Sequence, residues 1–237
     1  MSGNHREVIV KVICDSMKEN MEFLEKRGEW IIKEASELIN DAIDCITMLM
    51  LPNKKVRFIE RYATAFYILH GFTPTSYGIF INLLTGNLPS CFRDLRFLTE
   101  LLAKCYLADL KYPDEIFFES KLNLLEQEKN EKGEKKREHE YIKEFEDKVG
   151  LKEKECLKLW GKLSEEFHAR KYVKRFVDSI IEKGIPPSYS IILPMNYLEH
   201  DIASLKRLYG YIREYRKILR KTMTNYFGQS PFTNKVK

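Results

Sequence analysis

Apolar residues recur at three- and four-residue steps along almost the whole chain, the spacing that puts a stripe on one face of an α-helix. β-branched residues rarely alternate, and no Asn-Gly or Asp-Gly pair joins two alternating runs, so no strand is expected. Ile9, Val12, Ile13, Met17, Met21 and Leu24 form one stripe. Ile31, Ala35, Leu38, Ala42, Ile46 and Leu49 form the next, with Arg27-Gly28 as the break between them. Pro52 ends the second helix, because proline lacks the N–H that a helix interior needs. Two long helices with narrow stripes predict an antiparallel pair or a dimerisation arm over 1–51.

A helix is predicted over Lys54–His70, closed by Gly71 and Pro74, with a short one over Ser76–Leu84. Pro89–Leu110 is the most core-like segment: Phe92, Leu95, Leu98, Leu102, Cys105, Tyr106 and Asp109 keep helical spacing, and Leu101 widens the face. Pro113 separates it from a helix over Asp114–Glu128. Residues 126–158 carry dense Glu, Lys and Arg divided by Gly133, which reads as a charged, exposed helical hairpin. Leu151–Phe167 returns to the core, Lys171–Lys183 continues after a bend, and Tyr189–Pro194 is an extended connector. Asn196 is placed to cap a last helix, Tyr197–Tyr226. The expectation is a single all-α domain over 1–237, a bundle of about eight to ten helices with long first and last members.

The longest apolar runs, Cys45–Leu51 and Ile79–Leu84, fall far short of the ~20 residues that span a bilayer, so no membrane partner is expected. Met1–Met21 contains Glu7, Asp15 and Glu19 and has no secretory h-region. Five widely spaced cysteines without a CxxC pair point to reduced thiols and a cytoplasmic protein rather than a zinc knuckle. Glu and Lys number 26 and 27 against two Gln, a skew resembling a thermophile's ion-paired surface.

Phosphate-binding glycine loops of the GxxxxGK[ST] or GxGxxG kind are absent. His200-Asp201 supplies the central pair of a metal-dependent HD phosphohydrolase, but no Asp follows it to complete the ligand set. Glu165 and His168 form one Glu-x-x-His motif, while a di-iron bundle needs two. No metal and no cofactor is therefore expected.

Arg93, Arg96 and Glu100 share one face of the core helix, and Arg96 and Glu100 are spaced to pair. A half-buried Arg among leucines needs an acceptor, and His168 lies on another core helix that could converge with it. Leu88-Pro89-Ser90-Cys91-Phe92-Arg93-Asp94-Leu95-Arg96-Phe97-Leu98-Thr99-Glu100, taken with Leu163-Ser164-Glu165-Glu166-Phe167-His168, resembles the HEPN type (higher eukaryote and prokaryote nucleotide-binding) of helical protein. In that type an R-x-x-x-E helix packs against one ending in S-x-x-x-H. The resemblance covers about a third of the chain and implies a dimer with Arg96, Glu100 and His168 as a polar centre. Catalytic members are metal-independent RNases of toxin and defence systems. This sequence departs from their Arg-to-His spacing: Ser164, Leu163, Lys162 and Gly161 stand where the Arg would be.

Net charge is +5, yet residues 201–237 alone hold nine Lys/Arg and two Asp/Glu. Lys206, Arg207, Arg213, Arg216, Lys217 and Arg220 are expected opposite the apolar stripe of the last helix, with Tyr211 among them. The function expected is a non-enzymatic module, a homodimer, that binds nucleic acid or an acidic protein through this helix. The alternative is an HEPN-like RNase using Arg96, Glu100 and His168.

Overall fold

The computed structural model describes residues 3–50, 59–152, 154–167 and 196–228, and among these nine α-helices follow one another in chain order. They are α1 (Gly3–Arg27), α2 (Glu29–Met50), α3 (Ala63–Phe66), α4 (Thr73–Leu84), α5 (Leu88–Lys111), α6 (Phe118–Glu126), α7 (Glu138–Val149), α8 (Glu155–Phe167) and α9 (Ile202–Phe227). Among the described residues the fold is an all-α bundle with no strand, only an isolated bridge between Lys129 and Lys135. Gly28 is the break between α1 and α2.

Helix α5 runs through the centre and packs on α3, α4, α6, α7, α8 and α9. Pro89 lies in its first turn, where a missing N–H costs nothing. Leu95, Leu98, Leu102 and Cys105 along its length are fully buried. Helix α9 lies beside it against α2 and α8, and buries Leu205, Leu208, Ile212, Tyr215 and Leu219. The hydroxyls of Tyr67 and Tyr215 meet inside this core and bond to each other, so two buried polar groups satisfy one another.

Gly71 and Pro74 do not close a helix. The chain winds on from Ala63 to Leu84 because Tyr67–Phe72 forms a π-helix. That wide turn makes room for Pro74, whose ring crowds an ordinary α-ladder. Thr73 donates its backbone N–H and its hydroxyl (2.6 Å) to Ile68 O, restoring bonds there. Gly71 faces α5 so closely that a Cβ would stand 2.5 Å from Leu101 Cδ2.

The start of α3 is capped from a distance. Its own cap residue, Tyr62, makes no side-chain capping bond. Asp109 of α5 accepts instead from Ala63 N (2.9 Å) and Thr64 N (2.8 Å). The same carboxylate takes a bond from Lys121 of α6 (3.0 Å) and one from the Tyr226 hydroxyl of α9 (3.2 Å). Lys121 is buried, and its ammonium lies 5.1 Å from the Tyr62 ring centroid. Glu146 of α7 plays a similar part for α8, accepting from Cys156 N (2.6 Å) and Leu157 N (3.1 Å). Burial pushes the Glu146 carboxyl upward, and those two N–H groups pull against it.

Residues 126–158 are only half the exposed hairpin that their charge suggests. Tyr141, Ile142, Phe145 and Val149 bury one face of α7, which packs on α5 and α8. Glu144 of this helix joins a four-member ion-pair set. Lys111 and Lys136 each bridge Glu128 and Glu144 at 2.6 to 2.9 Å. Burial alone would raise Glu128 and Glu144, but bonds from Lys111 and Lys136 outweigh it and hold both carboxyls low. The last helix also begins later than its apolar stripe suggests. Asn196 bonds to Ser16 and Glu19 of α1 rather than capping, and Asp201 receives Leu198 N in a 3-10 turn ahead of Ile202.

Two outcomes follow from these bonds. Asp109→Ala strands the buried Lys121 ammonium and should lower the unfolding free energy in urea by about 3–5 kcal/mol. The double change Asp109→Leu with Lys121→Met removes both charges and should keep only the lost α3 cap and the lost Tyr226 hydroxyl bond, about 1–2 kcal/mol together. Glu128 and Glu144 titrate lower when folded than unfolded, so their stabilisation is present above the ordinary value of 4.5 and is lost as pH falls below it. Thermal melts followed by circular dichroism should show Tm falling through that window, and Glu128→Gln with Glu144→Gln should flatten the slope.

Candidate nucleic-acid interface

The cations of α9 divide into two groups because α2 carries a matching row of acids. Glu34, Glu37, Asp41 and Asp44 recur at three- and four-residue steps, on the margin of α2 that meets α9. Asp41 is 1 % exposed. Arg216 gives it Nε at 2.7 Å and reaches Glu34 (2.6 Å) and Glu37 (3.2 Å) with its other nitrogens. Arg220 adds a second guanidinium to Asp41 at 2.6 Å. Burial works against the charged Arg216, but the bonds and charges of Asp41 and Glu34 more than reverse that and raise its pKa.

Arg216 and Arg220 are therefore not free for a ligand, contrary to their expected position opposite the apolar stripe. Arg207 is turned inward as well, toward Glu166 of α8 (3.0 Å) and Ser204 (2.9 Å). Tyr211 is committed too: its ring meets Phe92 edge-on at 5.9 Å, and Lys162 stands over it while pairing with Glu214.

The outward group is Lys206, Arg213 and Lys217, all exposed and on one stripe of α9. No ion pair joins them to a carboxylate among the described residues. Arg213 rests over the Tyr209 ring, centroid 5.4 Å away, and donates to its hydroxyl at 3.2 Å. Tyr209 in turn packs edge-on against Trp30 of α2 at 5.2 Å, so the guanidinium is held on a fixed base. Gly210 sits between Lys206 and Arg213, and a Cβ there would touch nothing. Lys221 continues the stripe and donates to the carbonyl of Gly150, at the end of α7. At 1.5 Å per residue the row from Lys206 to Lys221 runs about 22 Å.

The polar centre on α5 is partly assembled. Arg96 Nε donates to Glu100 at 2.9 Å, and Trp160 Nε1 of α8 donates to the same carboxylate oxygen at 2.6 Å. The Arg96 guanidinium lies 5.2 Å from the Trp160 ring centroid. Arg93 turns away to Asp94 and does not join them. His168 lies outside the described residues, as do the predicted helix over 171–183 and the connector over 189–194. Glu100 is thus engaged twice, the arrangement of a packing network that fixes α5 against α8.

An open groove of about 760 Å³ borders α7 near Lys129, Asn130, Arg137, His139 and Lys143. It carries both signs of charge and does not select one kind of ion. Among the described residues no three His, Cys, Asp or Glu side chains gather as metal ligands. His200 Nε2 lies 3.5 Å from its neighbour Asp201. No described helix is long and apolar enough to cross a membrane. No family model, no curated protein and no solved structure matches the chain.

The acid row on α2 was the legible sign that Arg216 and Arg220 are taken. Arg216→Ala should leave Asp41 with Arg220 alone and cost about 2–4 kcal/mol in urea unfolding. Arg213→Ala, on the exposed stripe, should change that free energy by less than about 0.5 kcal/mol.

Proposed function

We propose that the protein is a non-enzymatic helical module that binds the phosphate backbone of nucleic acid through the outer stripe of α9. The observation that carries this reading is the division of charge on that helix. Arg207, Arg216 and Arg220 are paired with internal acids, while Lys206, Arg213 and Lys217 stand in a row on an exposed stripe. Cations that serve only the fold would be paired like the first group; the second group is aligned and exposed. Phosphate contacts give affinity without reading sequence, so binding is expected to be salt-dependent and indifferent to base order. Tyr211 is covered by Lys162 and Phe92, which leaves no free ring there for base stacking. Four buried free thiols, Cys45, Cys91, Cys105 and Cys156, suit a reducing, cytoplasmic setting.

The test is fluorescence anisotropy with labelled single-stranded RNA and DNA oligomers across a salt series. Three phosphate contacts predict a slope of log K against log salt of about −2 to −3. The triple change Lys206→Glu, Arg213→Glu, Lys217→Glu should abolish binding with Tm unchanged, while Arg96→Ala should leave it intact. Absence of binding at low salt, or equal binding by the triple variant, would overturn the reading. Tighter binding of polyglutamate than of RNA would replace it with an acidic-protein surface. RNA cleavage that disappears in His168→Ala would replace it with the nuclease reading.

A further inference from the structure

Helix α1 leaves the body of the protein halfway along its length. Ser16, Asn20 and Leu24 are buried. Asn20 donates to Leu84 O (2.9 Å) and accepts from Tyr197 N (2.8 Å). Every residue from Glu7 to Asp15 is exposed. That stretch contains Val8, Ile9, Val10, Val12 and Ile13, each 37 to 60 % exposed. β-branched residues are weak helix formers, and a helix this short holds in water only when a face is packed. Nothing among the described residues packs on this one.

The free face has a direction and a symmetry. At about 100° per residue, Ile9 and Ile13 lie on the same stripe as Ser16 and Asn20, so the apolar face is the docked face of α1 continued past the edge of the body. Val10 and Val12 flank the Ile9–Ile13 line on opposite sides by about 80°, and Lys11 points directly away from it. Glu7 and Asp15 also fall well outside the apolar arc. Ile9-Val10-Lys11-Val12-Ile13 reads the same in either direction. A two-fold axis at Lys11 that pairs two such helices antiparallel sets Ile9 against Ile13 of the second copy, Val10 against Val10 and Val12 against Val12. All three lysine, glutamate and aspartate positions then stay in water on both helices. A surface that is its own complement under rotation is what an isologous contact requires.

We propose that two copies of this chain pair through their α1 arms, antiparallel about Lys11, with Ile9, Val10, Val12 and Ile13 as the seam. The occupant of the exposed face is a second copy, and the inference is independent of the reading of α9. A seam this short is a small interface, so association is expected at about 10–100 µM chain.

The test is sedimentation equilibrium of the full chain at about 100 µM, with variants in the arm. The wild type should show a weight-average mass about 1.5 to 1.8 times that of the monomer, rising with concentration. Ile9→Glu with Ile13→Glu should return it to the monomer mass without lowering Tm, since both residues are exposed in the single chain. Lys11→Glu, on the far side, should remain dimeric. In a Cys14→Ser background, Val12→Cys should be cross-linked between copies by a short bismaleimide, and Lys11→Cys at least tenfold less. A monomeric wild type at that concentration, a dimer that survives the two glutamates, or equal cross-linking from position 11 would each overturn the proposal.

Discussion

Asp109 is the point on which the bundle turns. Its carboxylate lies at the C-terminal end of the central helix and is shared by the first turn of α3, the buried ammonium of Lys121 and the hydroxyl of Tyr226. Four helices therefore agree on the position of one charged group. A carboxylate and an ammonium taken out of water together are tolerable only when every remaining lone pair is used. The two N–H groups of α3 and the tyrosine hydroxyl use them. The short helix α3 cannot hold itself, and the π-helical turn that follows it inherits its position from this cap. Tyr67, the first residue of that turn, then reaches Tyr215 across the core.

The last helix shows the same physics applied twice with different results. Arg216 enters the body because α2 offers three carboxylates within reach, one of them fully buried. Lys217, one residue later and about 100° around the helix, meets only solvent. A count of positive charge along this segment cannot separate the two. The separation comes from the acids on the facing helix, whose row at 34, 37, 41 and 44 has the same period as the guanidiniums it receives. Electrostatic specificity between α2 and α9 is thus a matter of register as well as of sign.

The helices themselves were legible because their periodicity is long and uninterrupted. The stripe in 88–111 identifies the central helix, and Gly28 and Pro89 mark a break and a first turn where the chain places them. The π-turn was not legible, because Gly71 and Pro74 are ordinary helix stops and only the packing against Leu101 and the bonds from Thr73 to the Ile68 carbonyl explain their tolerance. Asn196 reads locally as a cap, yet tertiary contact sends it to Ser16 and Glu19. Ile9, Val12 and Ile13 keep core spacing but lie beyond the edge of the body, and no local pattern says where a body ends. Of the candidate interface, Lys206, Arg213 and Lys217 kept their expected exposure, while Arg207, Arg216 and Arg220 were claimed by residues distant in sequence. For the α5 centre, the Arg96–Glu100 spacing foretold their pairing, and the indole of Trp160 as a second donor to Glu100 was not anticipated.

The pairing of Asp41 with Arg216 joins residues 175 positions apart in the chain. A ribosome therefore delivers the acid long before the base. Until α9 is made, Asp41 and its neighbours on α2 have no guanidinium to receive, and burying that face early would strand a bare carboxylate. The face must stay hydrated until α9 emerges, so α2 cannot complete its packing one helix at a time. Closure of so long a loop is the slow kind of folding event, dominated by the search for a distant partner. Packing of α2 accordingly commits late and waits on α9.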